Sequence, residues 1–163
     1  MDLRDVMRTL PLGIVIVTTF WNNLPIGMTV NTFNSVSLNP PLILFLADVT
    51  KGNEKPYEES GMFVVNFIDD VEIARIFSSE DVHQRFSKVK YILGNCGPIL
   101  SKAYAYIEAK VKDIVSEGDH KIIVGEVKKI NVTNYSASLI YYDKMFWRLQ
   151  ELFSAKSSFR DHE

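Results

Sequence analysis

The chain has 163 residues, of which 47% are hydrophobic, so it is long enough for one substantial core and short for two independent domains. Its formal charge of −2, with lysines and arginines dispersed along the sequence, argues against the cationic face that binding a nucleic-acid backbone requires. The lone cysteine, Cys96, excludes an internal disulfide and a thiolate metal cluster, and no apolar run reaches the roughly 20 residues of a membrane-spanning helix. We therefore expect a single domain over residues 1–163, located in the cytoplasm, with no metal and with neither nucleic acid nor membrane as a partner.

The N-terminal part of the chain predicts strands separated by breaks in the backbone. Residues 12–20 are rich in β-branched side chains, and after a turn residues 26–30 return as the second strand of a hairpin. The prolines at 40–41 interrupt the pattern, because proline donates no hydrogen bond to a sheet. The apolar run at 42–47 predicts a strand that is buried on both faces.

Two short helices are predicted in the middle of the chain. Residues 52–60 form the first, and Gly61 ends it because glycine readily adopts the left-handed conformation at a helix C-terminus. Residues 62–68 follow as a strand. One of the aspartates at 69–70 then caps a second helix, which runs to Ser79 with apolar residues at helical spacing.

The clearest pattern is the alternation of apolar and polar residues over 103–115, which is typical of a half-exposed strand. Turn residues at 118–120 and the segment 121–132 make this strand one arm of a long hairpin. Strands joined by short turns, with few helices, predict a mainly β fold, an antiparallel barrel with peripheral helices. The apolar face comprises Ala105, Ile107, Ala109, Val111 and Val115, and the opposite, polar face comprises Tyr104, Tyr106, Glu108, Lys110 and Lys112.

Residues 27–37, GMTVNTFNSVS, begin like a strand but carry hydroxyls and amides where a buried strand would carry branched apolar side chains. An edge strand with a solvated polar face is one interpretation. The other is a binding site, because neutral donors suit an uncharged polyol or a phosphate without placing a fixed charge in the core. The polar side chains are Thr29, Asn31, Thr32, Asn34, Ser35 and Ser37.

Short motifs follow one another along most of the chain in an order typical of one protein family. They are Pro11-Leu12-Gly13, Val17-Thr18-Thr19, the segment 27–33, Ser35-Val36-Ser37, Pro40-Pro41-Leu42, Phe63-Val64-Val65-Asn66, Arg85-Phe86, Gly118-Asp119-His120, Gly125-Glu126-Val127 and Leu139-Ile140-Tyr141-Tyr142. This ordered set resembles the flavin reductases of the FMN-binding split-barrel superfamily. These are the reductase components of two-component flavin monooxygenases, such as the 4-hydroxyphenylacetate 3-monooxygenase system.

The resemblance implies a six-stranded antiparallel Greek-key barrel, a homodimer, and a flavin, FMN or FAD, close to the subunit interface. It implies that the flavin is held by the polar strand segment and by the loop at 48–53, where Lys51 and Asn53 are the expected phosphate donors. The cofactor-binding residues that it implies are Met28, Thr29, Val30, Asn31, Thr32, Ser35, Val36, Ala47, Lys51, Asn53, Arg85, Phe86, His120 and Tyr142.

Two of these residues have a second interpretation. Arg85, with Phe86, matches the family's Arg-Phe pair, whose arginine approaches the flavin phosphate or the nicotinamide cofactor; taken alone, it would be a surface arginine. His120 matches a histidine that lies beside the flavin ring and can meet the nicotinamide; taken alone, it would be an exposed turn residue. We expect His120 to act at the catalytic site by orienting the rings or giving polar support rather than by transferring a proton.

The resemblance implies an NAD(P)H:flavin oxidoreductase that supplies reduced FMN or FAD to a separate oxygenase, which hydroxylates 4-hydroxyphenylacetate or a similar aromatic compound. Hydride passes from nicotinamide C4 to flavin N5, so the protein's part is to hold two rings together. The sequence has no Gly-x-Gly-x-x-Gly motif, which argues against a Rossmann half and leaves the choice between NADH and NADPH open. The alternatives are a flavoredoxin-type electron-transfer protein and a non-catalytic interaction module.

The C-terminal segment 145–153 has apolar residues at helical spacing. We expect the tail, from about residue 148 to residue 163, to be helical or partly disordered. It would pack on its own barrel, on the dimer partner or on an oxygenase.

Overall fold

Antiparallel strands dominate the computed structural model, which describes residues 1–153. The helices are α1 (Leu3–Met7), α2 (Lys55–Ser60) and α3 (Val71–Ser79), and two 3-10 turns occupy Val49–Lys51 and Arg85–Lys88. The strands are β1 (Leu12–Gly13), β2 (Val15–Trp21), β3 (Leu24–Val30), β4 (Asn34–Leu38), β5 (Pro41–Asp48), β6 (Met62–Phe67), β7 (Tyr91–Leu93), β8 (Pro98–Leu100), β9 (Ala105–Glu117), β10 (His120–Val132), β11 (Ile140–Tyr142) and β12 (Met145–Trp147).

Seven of the described strands form one sheet in the order β3-β2-β6-β9-β10-β5-β4, and every neighbouring pair is antiparallel. Val30 of β3 and Ile43 of β5 lie near opposite ends of this order, yet they belong to the same buried cluster as Phe63 of β6. The sheet therefore curls into a barrel around that cluster. The predicted mainly β class is confirmed. The strand count differs from the expected six, because the short β4 pairs with β5 as a seventh strand.

Phe45 lies at the centre of the barrel core. Its ring packs edge-to-face on Phe63 and Tyr57, with ring centroids 5.0 and 5.2 Å away. The Tyr57 hydroxyl donates to the carbonyl of Val17 at 2.8 Å, and burial raises the pKa of that phenol. These contacts fix α2 against the barrel. The helix begins later than predicted, at Lys55, and ends at the predicted Gly61, which has a φ of +71°.

The outer face of β2 is covered by α3. Ile16 of β2 is fully buried against Ala74 and Phe77 of this helix, whereas its neighbours in β2 point into the barrel. Asp70 accepts hydrogen bonds from the backbone N–H groups of the first turn, so the predicted cap is confirmed at this residue. Gly27 allows the close approach of helix and sheet, because a Cβ there would lie 3.0 Å from the Phe77 ring. The C-terminal end of α3 consequently lies beside β3.

The β9–β10 hairpin confirms the predicted pairing, but two side chains on the face of β9 that was expected to be exposed are buried. Tyr106 and Glu108 were expected to face solvent, yet both are buried, and Glu108 is only 1% exposed. The β7–β8 hairpin folds over this face of β9, and the Cys96 N–H donates to Glu108 Oε1 at 2.9 Å. A contact between segments distant in sequence therefore covers a strand face that the local alternation alone would leave exposed.

Glu108→Ala is expected to lower the free energy of unfolding by about 1–3 kcal/mol, because it leaves the buried Cys96 N–H without its acceptor. Glu108→Gln is expected to cost less, since its amide oxygen can still accept that hydrogen bond. Urea unfolding of the three proteins measures the difference. Equal stability of wild type and Glu108→Ala would contradict a structural role for this carboxylate.

The prediction that residues 42–47 are buried on both faces is wrong. Ile43, Phe45 and Ala47 point into the barrel core, whereas Leu44 and Leu46 are only half-buried. Helix α3 packs on β2 and β3, and strand β8 packs on β2 and β6, so the outer face of β5 lacks an equivalent cover among the described residues.

The chain after residue 139 differs from the helical expectation. Met145–Trp147 is strand β12, which pairs with β11, and β11 pairs with β1 near the N-terminus. Residues 148–153 have no regular secondary structure, and the remainder of the predicted tail, 154–163, lies outside the described residues. None of the helices in residues 1–153 combines the length and apolar character needed to cross a membrane.

Candidate functional site

Two neighbouring cavities open at the end of the barrel where β3 and β5 finish and β10 begins. His120, the first residue of β10, pairs with Asp48, the last residue of β5. The first cavity has a volume of about 490 Å³, within the range typical of ligand sites. Its lining residues are Ile14, Met28, Thr29, Val30, Asn31, Thr32, Leu46, Asp48, Lys51, Asn53, Ser78, Ser79, His120, Tyr141 and Phe146.

The polar strand segment forms one wall of the first cavity. Predicted residues Met28, Val30 and Asn31 line it together with the two threonines 29 and 32. The Thr29 hydroxyl donates to the Ala74 carbonyl at 2.8 Å, which leaves only its lone pairs for a ligand. Thr32 Oγ1 instead accepts from the Leu46 N–H at 3.1 Å and keeps its own proton to donate.

The loop after β5 forms a second wall and supplies the predicted phosphate donors, Lys51 and Asn53. Asp48 shapes this loop, because its carboxylate accepts from the Thr50 N–H at 2.8 Å and from the Thr50 hydroxyl at 2.6 Å. These hydrogen bonds hold the pKa of Asp48 below its usual value, so the carboxylate is ionised at neutral pH. Gly52, with a φ of +71°, then turns the chain toward Asn53.

His120 lines both cavities and is about two-fifths exposed. Its Nδ1 lies 2.7 Å from a carboxylate oxygen of Asp119. Because an ionised carboxylate can only accept a hydrogen bond, Nδ1 carries the proton and Nε2 remains available to a ligand. The backbone supports this arrangement, since the Val49 N–H donates to the Asp119 carbonyl at 3.0 Å.

Five predicted site residues line neither cavity. Ser35 and Val36 are exposed on β4, and Ala47 points into the barrel core. Phe86 packs in the hydrophobic cluster beneath α3. Arg85 donates from Nε to the Glu80 carbonyl and from Nη1 to the Gly27 carbonyl, the latter at 2.8 Å. The roles of these five residues in binding stay predictions.

Several lining residues were absent from the predicted set. Ser78 and Ser79 reach the first cavity from the C-terminal end of α3, and Tyr141 and Phe146 reach it from the β11–β12 hairpin. Phe146 lies within a segment whose spacing indicates a helix, so the sequence pattern gave no indication that Phe146 would line a cavity. Tyr141 lies next to the predicted Tyr142 in the last family motif, and this position could have indicated that Tyr141 lines the site.

The second cavity, of about 770 Å³, lies between α1 and the β11–β12 hairpin. It shares Asn31, Thr32, His120 and Tyr141 with the first cavity, and predicted residue Tyr142 lines it. Its remaining lining residues are Asp2, Arg4, Asp5, Met7, Arg8, Leu10, Leu12, Asp143 and Lys144. The two cavities therefore meet at His120 and at the residues that follow β3.

The donors of the first cavity fit a flavin nucleotide. A ribityl chain needs neutral partners, which Asn31 and Thr32 supply, and a phosphate needs a cation or N–H donors, which Lys51 and Asn53 supply. An isoalloxazine ring needs an apolar or aromatic surface, and Met28 among other lining residues offers one.

Comparison with known proteins gives a consistent result. The family model described as "Flavin reductase like domain" matches residues 7–150. A flavin reductase of Pseudomonas putida is 34% identical over 143 residues, which cover 85% of this chain and 84% of that protein. The reductase subunit HsaB of a flavin-dependent monooxygenase from Rhodococcus jostii is 26% identical, covering 97% and 82% of the two chains.

A solved structure of the flavin reductase HpaC complexed with NADP+ is similar to this chain over nearly its whole length. The TM-score is 0.89 at 49% identity, covering 92% of this chain and 97% of that one. This likeness confirms the predicted split-barrel fold. The match to the family model, together with these relatives, shows that the chain belongs to the flavin reductase-like family.

Proposed function

We propose that this protein is an NAD(P)H-dependent flavin reductase, which binds a flavin in the first cavity and the nicotinamide nucleotide in the second. The observation that carries the assignment is that the two cavities share Asn31, Thr32, His120 and Tyr141. Rings bound where the two cavities adjoin, along these shared residues, would come into contact, as hydride transfer between two rings requires. The related flavin reductases, one of them a complex with NADP+, support the activity and the use of both nucleotides.

The chain's own residues hold, orient and shield the reactants. A bound flavin would supply the acceptor for the hydride of the nicotinamide, so the cofactors would carry the chemistry. Lys51 and Asn53 would bind the flavin phosphate, and the Thr32 hydroxyl would donate to the ribityl chain. The hydrogen bond of His120 Nδ1 with Asp119 orients the ring, and Nε2 would accept a hydrogen bond from the nicotinamide amide. The β11–β12 hairpin would limit the access of water to the place where the two cavities adjoin.

We further propose that reduced flavin diffuses to a separate oxygenase component in the cytoplasm. The relationship to the monooxygenase reductase subunit HsaB supports a two-component system. The chain offers no disulfide that would favour an oxidising compartment, since Cys96 is its one cysteine.

We propose that the active form is a homodimer. Helix α1 has no buried residue, and its apolar side chains Val6 and Met7 are exposed. Met145 and Trp147 of β12 are exposed as well. A second copy of the chain would cover these side chains beside the second cavity. Sedimentation analysis tests this assembly, and a monomer at micromolar concentration would contradict it.

Steady-state oxidation of NADH and NADPH, with and without added FMN or FAD, tests the proposed reaction. We expect turnover that depends on the flavin. An electron-transfer protein would bind flavin without such turnover, and an interaction module would do neither. Fluorescence quenching of FMN during titration with the protein separates those two outcomes.

His120→Ala is expected to raise the KM for NADH or NADPH by about three- to tenfold, because the variant loses an acceptor at the wall between the cavities. The Kd for FMN should change by less than about twofold, since the proposed phosphate and ribityl donors remain. His83→Ala is the matched control, because His83 is exposed and lines neither cavity. Identical kinetics of His120→Ala and wild type would remove His120 from the site.

A further inference from the structure

Lys144 occupies a backbone position that disfavours lysine. Strands β11 and β12 are joined by a two-residue turn, Asp143-Lys144, whose φ angles are +49° and +62°. Turns of this kind favour glycine and asparagine, because most side chains are strained at positive φ. The β2–β3 hairpin has the same turn length and uses Asn22-Asn23, with φ angles of +52° and +63°. The β11–β12 hairpin therefore tolerates a strained lysine where asparagine would be more favourable.

The lysine also differs from the other cations around the second cavity. Arg4 lies 3.4 Å from a carboxylate oxygen of Asp2, and Arg8 lies 3.1 Å from one of Asp143. Within residues 1–153, Lys144 forms no ion pair with a carboxylate, although it lines the same cavity. Its ammonium group is consequently available to an anionic ligand without first breaking an ion pair with a carboxylate of the described residues.

We propose that Lys144 binds a phosphate group of the nicotinamide dinucleotide in the second cavity. This inference rests on the proposed function, which places that dinucleotide beside the flavin. A lysine is suited to a phosphate, because its compact charge attracts the anion without fixing one geometry. The aromatic side chains of Tyr141 and Tyr142 line the same cavity and offer surfaces for the rings of a nucleotide.

Contacts on both sides of the Asp143-Lys144 turn fix its position. Asp143, the first residue of the turn, is tied to α1 through Arg8, while Tyr142 packs near Trp147, which donates from Nε1 to the Tyr142 carbonyl at 2.9 Å. These contacts anchor both sides of the turn that carries Lys144. A binding contribution explains why the strain persists at this position.

Binding of NADP+ and NAD+ to the protein with FMN present, measured by titration calorimetry, tests the proposal. Lys144→Gln should weaken dinucleotide binding by about three- to tenfold, and the loss should shrink at high salt. Lys144→Arg should retain most of the affinity. An equal loss for the two dinucleotides would place Lys144 at the pyrophosphate, and a loss confined to NADP+ would place it at the 2′-phosphate.

Lys144→Gly separates binding from folding. It should weaken binding as Lys144→Gln does, while relief of the strained turn raises the Tm by about 2–4 °C. Asn23→Gly is the matched control, because it changes the equivalent turn residue of the β2–β3 hairpin, which lies outside both cavities. Asn23→Gly should leave dinucleotide binding unchanged.

Unchanged binding of both dinucleotides to Lys144→Gln would overturn the proposal, and so would a wild type that binds neither. The proposed function has its own readout in the flavin-dependent turnover of the wild type. If the wild type shows flavin-dependent turnover and Lys144→Gln leaves dinucleotide binding unchanged, the proposed function therefore stands and only the role of Lys144 is overturned. If FAD but not FMN binding weakened in Lys144→Gln while dinucleotide binding stayed constant, the proposal would fail in favour of a contact with the second half of FAD.

Discussion

Phe45→Ala is expected to lower the free energy of unfolding by about 3–5 kcal/mol. The Phe45 side chain is fully buried, and its ring contacts Phe63 and Tyr57 at the centre of the barrel. Truncation would remove these contacts and leave a cavity that the surrounding strands can fill only in part. Such a loss is a large fraction of the roughly 5–15 kcal/mol that stabilises a typical domain.

Urea unfolding measures this loss, with Leu38→Ala as the control. Leu38 lies on the edge strand β4 and is 86% exposed, so its truncation should change the free energy of unfolding by less than about 0.5 kcal/mol. Saturating FMN should recover part of the stability of Phe45→Ala, because a ligand that binds only the folded protein favours it. Similar losses in the two variants would contradict the assignment of Phe45 to the barrel core.

Lys51→Gln is expected to weaken FMN binding by about 10- to 100-fold, equivalent to about 1.5–3 kcal/mol for a charge-assisted hydrogen bond. Lys51 lines the first cavity next to Asn53, on the loop that Asp48 shapes. The variant would keep a hydrogen-bond donor but lose the charge that attracts the phosphate. Fluorescence quenching during titration gives the Kd.

Riboflavin is the matched ligand for this variant, because it lacks the phosphate. Its affinity for Lys51→Gln should equal its affinity for the wild type, and Lys51→Arg should bind FMN nearly normally. Lys55→Gln is the matched protein control, since Lys55 is exposed on α2 and lines neither cavity. Equal losses of FMN and riboflavin affinity would show that Lys51 acts on the loop's shape rather than on the phosphate.

Local sequence signals predicted the elements that depend on neighbouring residues. The β2–β3 hairpin has β-branched strands around a turn of two asparagines, and α3 begins at its capping Asp70. The long β9–β10 hairpin was visible as an alternating pattern with a glycine-containing turn, and Gly118 has the positive φ that the turn requires. Each of these features is decided within a few residues of the chain.

The features that were missed depend on contacts between distant segments. Glu108 is buried because the residues around Cys96 fold over β9, which no alternation within β9 can reveal. Met145–Trp147 is a strand because β11, which is itself paired with β1 near the N-terminus, offers it a partner, while a short apolar run fits a helix equally well. Ser78 reaches the first cavity because Gly27 lets α3 approach the sheet closely.

The family resemblance indicated more of the residues that line the two cavities than residue patterns could. The polar segment at 27–37 alone left two interpretations open, a solvated edge strand and a binding site. The fold separates the two halves of that segment, since Asn31 and Thr32 line both cavities whereas Ser35 lies exposed on β4. Side-chain chemistry therefore indicated a ligand, and the ends of β3 and β5 determined which of the polar residues can reach it.

A crystal structure of the protein with bound FMN tests the central claim most directly. We expect the phosphate within hydrogen-bonding distance of Lys51 or Asn53, the ribityl chain along residues 28–32, and the ring beside His120. FMN bound elsewhere, with the first cavity filled only by water, would contradict the account.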